Sequence, residues 1–417
     1  DPESGERTAE RVQQAFAGNL ASATLNNSGV VSADAVAVAQ ATAFASANAN
    51  VNDVVVQQAF AGSTAIADIN NTGGGLISGQ ALAVASDAFA GAFIGNVIQQ
   101  TAIAGSFAVA SVSNTSLAAI TGSAVAIATG ITSATAVATI GTLIDQNAVA
   151  GTGIAVANVS NSGLISGLAS ANAAAFGSAT AVAVVNNGID QFALVSGTGI
   201  AVAGVSNAAG GTINFDAVAN AGGVTLGGGT FIPATTAVAI ASVGVGIDQS
   251  AIVTGNGLAV AAVTNAGVLS VGADANASAS SFALAVARVD DGIEQNARVT
   301  GTTSANALVS VTNSNTIDIT ADASAVATGA TGAALAVASV ETGIDQEATA
   351  VAVSLTITGT LAASGTLNFN WSGSAQASAA LNNSGSLNIA ANAFASAQGA
   401  TGTANAFATV DDGIQQD

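Results

Sequence analysis

A glutamine and an asparagine return together along the whole chain, and the interval between returns limits what the chain can fold into. Around Gln146 the order is Ile144-Asp145-Gln146-Asn147-Ala148, then Gly151-Thr152-Gly153, then Ile154-Ala155-Val156-Ala157 and Val159-Ser160-Asn161. The same order follows Ile189-Asp190-Gln191 and Ile247-Asp248-Gln249. Aligned on glutamine, the returns are Gln14, Gln58, Gln100, Gln146, Gln191, Gln249, Gln295, Gln346 and Gln416, spaced by 44, 42, 46, 45, 58, 46, 51 and 70 residues. Asn27, Asn71, Asn114, Asn161, Asn207, Asn265, Asn313 and Asn383 keep a similar beat. Such self-similarity marks an architecture in which each repeat buries its apolar face against its neighbours.

Inside each cycle the period is two. Alanine occupies alternate positions from Ala33 to Ala49 and again from Ala169 to Ala183, with Val, Thr, Ser and Phe between. That alternation reads as β-strand, and the absence of a helical apolar stripe outweighs the helix propensity of alanine. Turns fall where length varies, because a one-residue slip inside a strand would turn every side chain to the wrong face. Four turns per cycle divide it into two coils of about 22 residues, a size that suits a parallel β-helix. The expected fold is therefore all-β, a parallel β-solenoid of roughly 17 coils in eight two-coil repeats, about 80 Å long. Like positions would then lie about 9.6 Å apart, so the side-chain amides would bond the intervening coil, not one another.

One solenoid domain is expected over 12–417, with a tail or cap at 1–11, a loop insertion at 222–234 and an inserted coil at 350–375 that includes the lone Trp371. Half of the residues are apolar, but most of these are alanine, which builds a thin core. The formal net charge is −20 and the four basic residues, Arg7, Arg11, Arg288 and Arg298, form no cluster, which argues against nucleic acid and anionic membrane surfaces as partners. No long unbroken apolar run suggests membrane insertion.

Chemistry is scarce. With no His and no Cys, the nucleophilic triads are excluded and transition-metal sites are disfavoured. The expectation is a protein that is not an enzyme and has no cofactor. Asp145, Asp190, Asp248, Glu294 and Asp345 recur beside the glutamine on the outward face. Of these, Asp145, Asp190, Asp248 and Asp345 are the calcium candidates, since calcium takes several oxygen ligands. The reading that outweighs calcium is solvated charge that keeps rods soluble. The glutamine row and Asn114, Asn161, Asn207, Asn265 and Asn313 read as structural ladders that satisfy buried amides.

The pattern Ile-x-Gln-x-Ala, arc, Ala-x-Ala-x-Val-x-Asn, carried by Ile144, Gln146, Ala148 and Asn161 and their equivalents, resembles the strand-arc-strand repeats of curli-type amyloid subunits. The texture is also similar to autotransporter passengers and filamentous adhesins. It departs from the curli type in its Ala-rich second coil and variable turns. The resemblance implies a secreted protein, extracellular or at the cell surface, with a non-enzymatic role. Val12-Gln13-Gln14 and Ile414-Gln415-Gln416 occupy the same position of the repeat. Together these features lead to the expectation of a subunit that stacks head to tail with itself into a filament of a cell surface or biofilm matrix. The alternatives are a monomeric adhesin with a surface or glycan ligand and, behind it, a polysaccharide-cleaving β-helix enzyme.

Overall fold

The structure, a computed structural model, describes residues 4–7, 11–40, 45–86, 89–225, 231–352, 355–358, 368–371 and 374–417. The period of two in the sequence is a period of two in burial: along Thr316–Ala327 every second residue is buried. The inward row is mainly alanine, which lets two strand layers approach closely. Valine and isoleucine fill the places where the layers diverge.

The chain is a parallel β-solenoid. Ser133–Ala150 lies between Phe89–Ala104 and Ser178–Val195, with Ile144 level with Ile98 on one side and Ile189 on the other. Neighbouring strands are thus one whole cycle apart. This register corrects the expected coil size: one cycle of about 45 residues makes one coil, and the two units of about 22 residues are strand-turn-strand arches lying side by side within it. Stacking a whole cycle on the next sets like residues on like. Nine layers of strand at about 4.8 Å give a rod nearer 40 Å than 80 Å.

Each coil has four faces. Gly153–Asn161 forms the first and Leu164–Ala175 the second. The third and fourth are the two halves of one strand, Ser178–Val195, whose burial alternation is interrupted at Asn186-Asn187-Gly188 and resumes at Ile189. In Val268–Gly301 the second, third and fourth faces run on as a single strand of 34 residues. The second and third faces enclose the larger apolar cluster. The fourth and first enclose a smaller one built from alanine with four valines, such as Ala148, Ala150, Ala155 and Ala157. At the bend between the third and fourth faces the backbones crowd. A β-carbon on Gly246 would stand 2.5 Å from the Gly292 carbonyl oxygen, so glycine is required there.

Other expectations change at the insertions and at the start of the chain. In place of an inserted coil, Leu355–Thr358 pairs antiparallel with Asn368–Trp371, while 350–352 and 374–375 belong to the rod strands on either side. The rest of that stretch lies outside the described residues. Within 222–234, Val224–Thr225 and Phe231–Ile232 form a second antiparallel hairpin, and residues 226–230 lie outside the described residues. Of 1–11, Ser4–Arg7 is a strand paired in parallel with Ser46–Ala61, and Arg11 opens the first fourth-face strand.

The turn after the asparagine carries a conformational cost in one cycle. Gly74 and Gly210 hold φ of 83° and 85° three residues after their asparagine, and Leu117 holds φ of 70° at the equivalent place. Leucine in this left-handed region costs about 1–2 kcal/mol, and Leu117 is 89% exposed, so no buried contact offsets the strain. Leu117→Gly should raise stability by about 0.5–1 kcal/mol, measured as a higher urea midpoint. An unchanged or lower midpoint would contradict the turn geometry.

Candidate functional site

The fourth-face glutamine points inward and crosses the coil. Gln146 Nε2 donates to Gln100 Oε1 at 2.8 Å and to the Asn158 backbone oxygen of the opposing first face at 3.0 Å, while its Oε1 accepts from Gln191 Nε2 at 2.8 Å. The amides therefore bond one another directly, which corrects the expected separation of two coils. The same bond joins Gln249 to Gln191, Gln295 to Gln249, Gln346 to Gln295 and Gln416 to Gln346 at 2.7–2.8 Å. This wall of amides divides the two apolar clusters.

Two residues expected in the row are not in it. The ladder begins Gln13, Gln57, Gln100: Gln57 Nε2 donates to Gln13 Oε1 at 2.7 Å and Gln100 Nε2 to Gln57 Oε1 at 2.8 Å. Gln14 and Gln58 face outward, where Gln14 Nε2 donates to Gln58 Oε1 at 2.8 Å. Each of these cycles has two adjacent glutamines, and the inner one is that with alanine two residues on. Ala59 and Ala102 are fully buried, so the spacing Gln-x-Ala, present in the sequence, identifies the inward member.

The asparagine ladder runs beside it, at the turn from first to second face. Asn161 Nδ2 donates to Asn207 Oδ1 at 2.9 Å and to the Thr212 oxygen at 3.1 Å, and its Oδ1 accepts from Asn114 Nδ2 at 2.8 Å. The row continues through Asn265 and Asn313 to Asn383 at 2.8–2.9 Å. It begins with Asn27 Nδ2 on Asn71 Oδ1 and Asn71 Nδ2 on Asn114 Oδ1, both at 2.9 Å. The two ladders have opposite polarity. In the asparagine ladder each residue from Asn27 to Asn313 donates toward the following coil, and each buried glutamine of the other ladder donates toward the preceding one. Amides aligned in a row reinforce one another's dipoles, and opposed rows cancel most of the field they would build along a low-dielectric core.

Outside the glutamine wall, the position after each Ile forms another row: Gln99, Asp145, Asp190, Asp248, Glu294, Asp345 and Gln415, level in successive coils. Five carboxyl groups follow one another along the axis. They face outward, but the stacked neighbours strip much of their water, so the expected fully solvated charge is not what the geometry provides. Burial, then the Gln99 bond that opposes it, leaves Asp145 raised. Burial and the Asp145 charge raise Asp190. Burial, then the charges of Asp190, Glu294 and Asp291, push Asp248 up to about 7. Glu294 and Asp345 are raised chiefly by burial as well. Among the described residues no three such groups converge as a metal-binding set. The calcium candidates Asp145, Asp190, Asp248 and Asp345 lie in line along the axis.

At the two edges, Val12, Gln13 and Gln14 sit in the strand Arg11–Ala17, with Gln13 level with Gln57. Ile414, Gln415 and Gln416 sit level with Ile344, Asp345 and Gln346. Among the described residues no strand pairs with the outer side of either edge. No described helix is long and apolar enough to cross a membrane.

Two predictions follow from these rows. Gln191→Ala takes the side-chain donor from the Gly204 oxygen, leaves Gln146 Oε1 without its donor and leaves one of the two Gln249 Nε2 protons without its acceptor. At about 1–3 kcal/mol for each orphaned buried group, a loss of roughly 3 kcal/mol or more is expected, against about 0.5 kcal/mol for Gln14→Ala at the surface. Chemical denaturation of the pair checks this, and Gln14→Ala being the costlier would overturn the register.

The acidic row fixes a sign for pH. Its folded pKa values lie above the unfolded ones, so the folded state holds extra protons between about pH 4 and pH 7. Stability is highest at the acid end of that window and falls as pH rises through it. Asp248→Asn should add on the order of 1–2 kcal/mol at pH 8 and little at pH 4.5, after allowance for the water its carboxylate still meets. Urea midpoints that climb from pH 5 to pH 8 would refute it.

No protein-family model, no curated protein and no solved structure matches this chain. Its own geometry identifies the chain as a parallel β-solenoid repeat protein with two buried amide ladders of opposite polarity.

Proposed function

We propose that this chain is a non-enzymatic extracellular structural protein, a β-solenoid subunit that stacks head to tail with itself into a filament of a cell surface or biofilm matrix. The observation that carries the reading is the polarity of the glutamine ladder. At one edge Gln13 Nε2 has one proton on the Thr24 oxygen and, among the described residues, no acceptor for the other. At the other, Gln416 Nε2 donates to Gln346 Oε1, and among the described residues nothing donates to its own Oε1. A second copy stacked in the same direction joins that donor to that acceptor and keeps the strands parallel. A copy stacked in the opposite direction sets two donors or two acceptors face to face.

Open strand edges with unpaired backbone groups favour such addition. The third and fourth faces reach one layer further than the first and second, so the joint forms through Arg11–Ala17 and Thr403–Gln416. Room for one strand remains on each of the other two faces. The strand-arc-strand pattern and the scarcity of catalytic side chains fit the same reading.

Electron microscopy of the purified chain tests it. Unbranched filaments with a repeat near 4.8 Å along the axis are expected. Gln13→Glu keeps the acceptor that Gln57 needs but removes the donor at the joint, and should shorten or abolish filaments while the fold persists. Separate rods about 40 Å long at every concentration would sink the proposal.

A further inference from the structure

The rod carries a third amide ladder, on its outside. On the second face, Asn172, Asn220 and Asn276 are level in three successive coils and point outward. Asn220 Nδ2 donates to Asn172 Oδ1 at 3.0 Å and Asn276 Nδ2 to Asn220 Oδ1 at 3.2 Å. The inner ladders engage both amide protons, the second on a backbone oxygen. In the outer one, among the described residues, Asn220 and Asn276 each use a single proton, which leaves a row of donors about 4.8 Å apart, each beside an amide oxygen with a lone pair to spare.

These amides line one side of a groove of about 410 Å³ that runs along the axis. Small residues two positions further on, among them Ala174 and Gly222, leave the groove open between them, and Phe231 from the adjacent hairpin also lines it. Phe231 is 51% exposed, a large apolar ring half open to solvent. Toward the following coils the groove continues into a second depression that shares Asn276 and ends at Phe394, 59% exposed.

We infer that this groove is a binding site for an uncharged glycan chain lying along the rod axis. The chemistry selects that class in three steps. Neutral amides offering a donor and an acceptor side by side match vicinal hydroxyl groups. Exposed aromatic rings along the groove and at its end match the apolar C–H faces of pyranose rings. The ionised neighbours are acidic, Asp274 and Asp322 in the flanking row, and no cation lines the groove, so an anionic chain is repelled. An extended peptide gains little there, because the backbone groups of these strands are already engaged in the parallel ladder. The amides are held by one another, so little side-chain freedom is lost on binding. The site does not depend on filament formation: it lies on the flank of the rod, away from both edges.

Isothermal titration of the intact chain tests it with four probes: β-1,4-linked and α-1,4-linked glucose hexasaccharides, a galacturonate hexasaccharide as the anionic probe and a glucosamine hexasaccharide as the cationic one. At least one neutral probe should bind saturably and more tightly than both charged probes. Asn220→Ala and Phe231→Ala should each weaken it at least fivefold, with an unchanged urea midpoint to show that the fold is kept. No saturable binding of either neutral probe, tighter binding of a charged one, or equal affinity in both variants would overturn the inference.

Discussion

The distance between neighbouring strands governs this molecule. A side-chain amide can reach its copy in the next coil only if that copy lies one strand spacing away, about 4.8 Å. The chain meets that condition by making a full cycle of about 45 residues into one coil, so that glutamine stacks on glutamine and asparagine on asparagine. Had successive coils been half-cycles, each buried amide would have faced the alanines of the other arch and lost a partner in a dry core, at a cost of about 1–3 kcal/mol per group. The amide rows therefore set the register of the strands, and the register in turn sets the rod's length and cross-section.

The same stacking that satisfies amides penalises charge. Asp145, Asp190, Asp248, Glu294 and Asp345 repeat because the cycle repeats, and each is brought to the closest approach of its neighbours. Glutamines bracket the row, with Gln99 Nε2 donating to Asp145 Oδ2 at 3.3 Å. The outcome is a line of carboxyl groups that hold protons more tightly than isolated ones do, Asp248 most clearly. In a chain with a net charge of −20, Asp248 is thus held only partly ionised near neutral pH.

Particular residues mark what was legible beforehand. The alternation of Ala with Val, Thr and Ser specified strands and the inward face, since period two in sequence and in burial are the same geometric fact. Asn114 through Asn313 were placed in one ladder because each is a lone asparagine ahead of a turn. Gln13 and Gln57 were missed in favour of Gln14 and Gln58 because a pair of adjacent glutamines gives two candidate phases. The spacing Gln-x-Ala, kept by Gln57 with Ala59 and by Gln13 with Ala15, separates them, because that alanine packs into the smaller core. The outer ladder of Asn172, Asn220 and Asn276 was hidden altogether, since nothing local in the sequence says that residues 48 and 56 apart will be level.

By itself, the sequence determined a repeat, its β character, the residues that face inward, and the absence of the histidine and cysteine that most catalytic sites use. It left open whether the two arches of a cycle lie above one another or side by side, because local patterning is identical in both cases. Tertiary structure decided for side by side. Pairing is a contact between residues a whole cycle apart, and its register is chosen by which stacking lets every buried amide find its own copy.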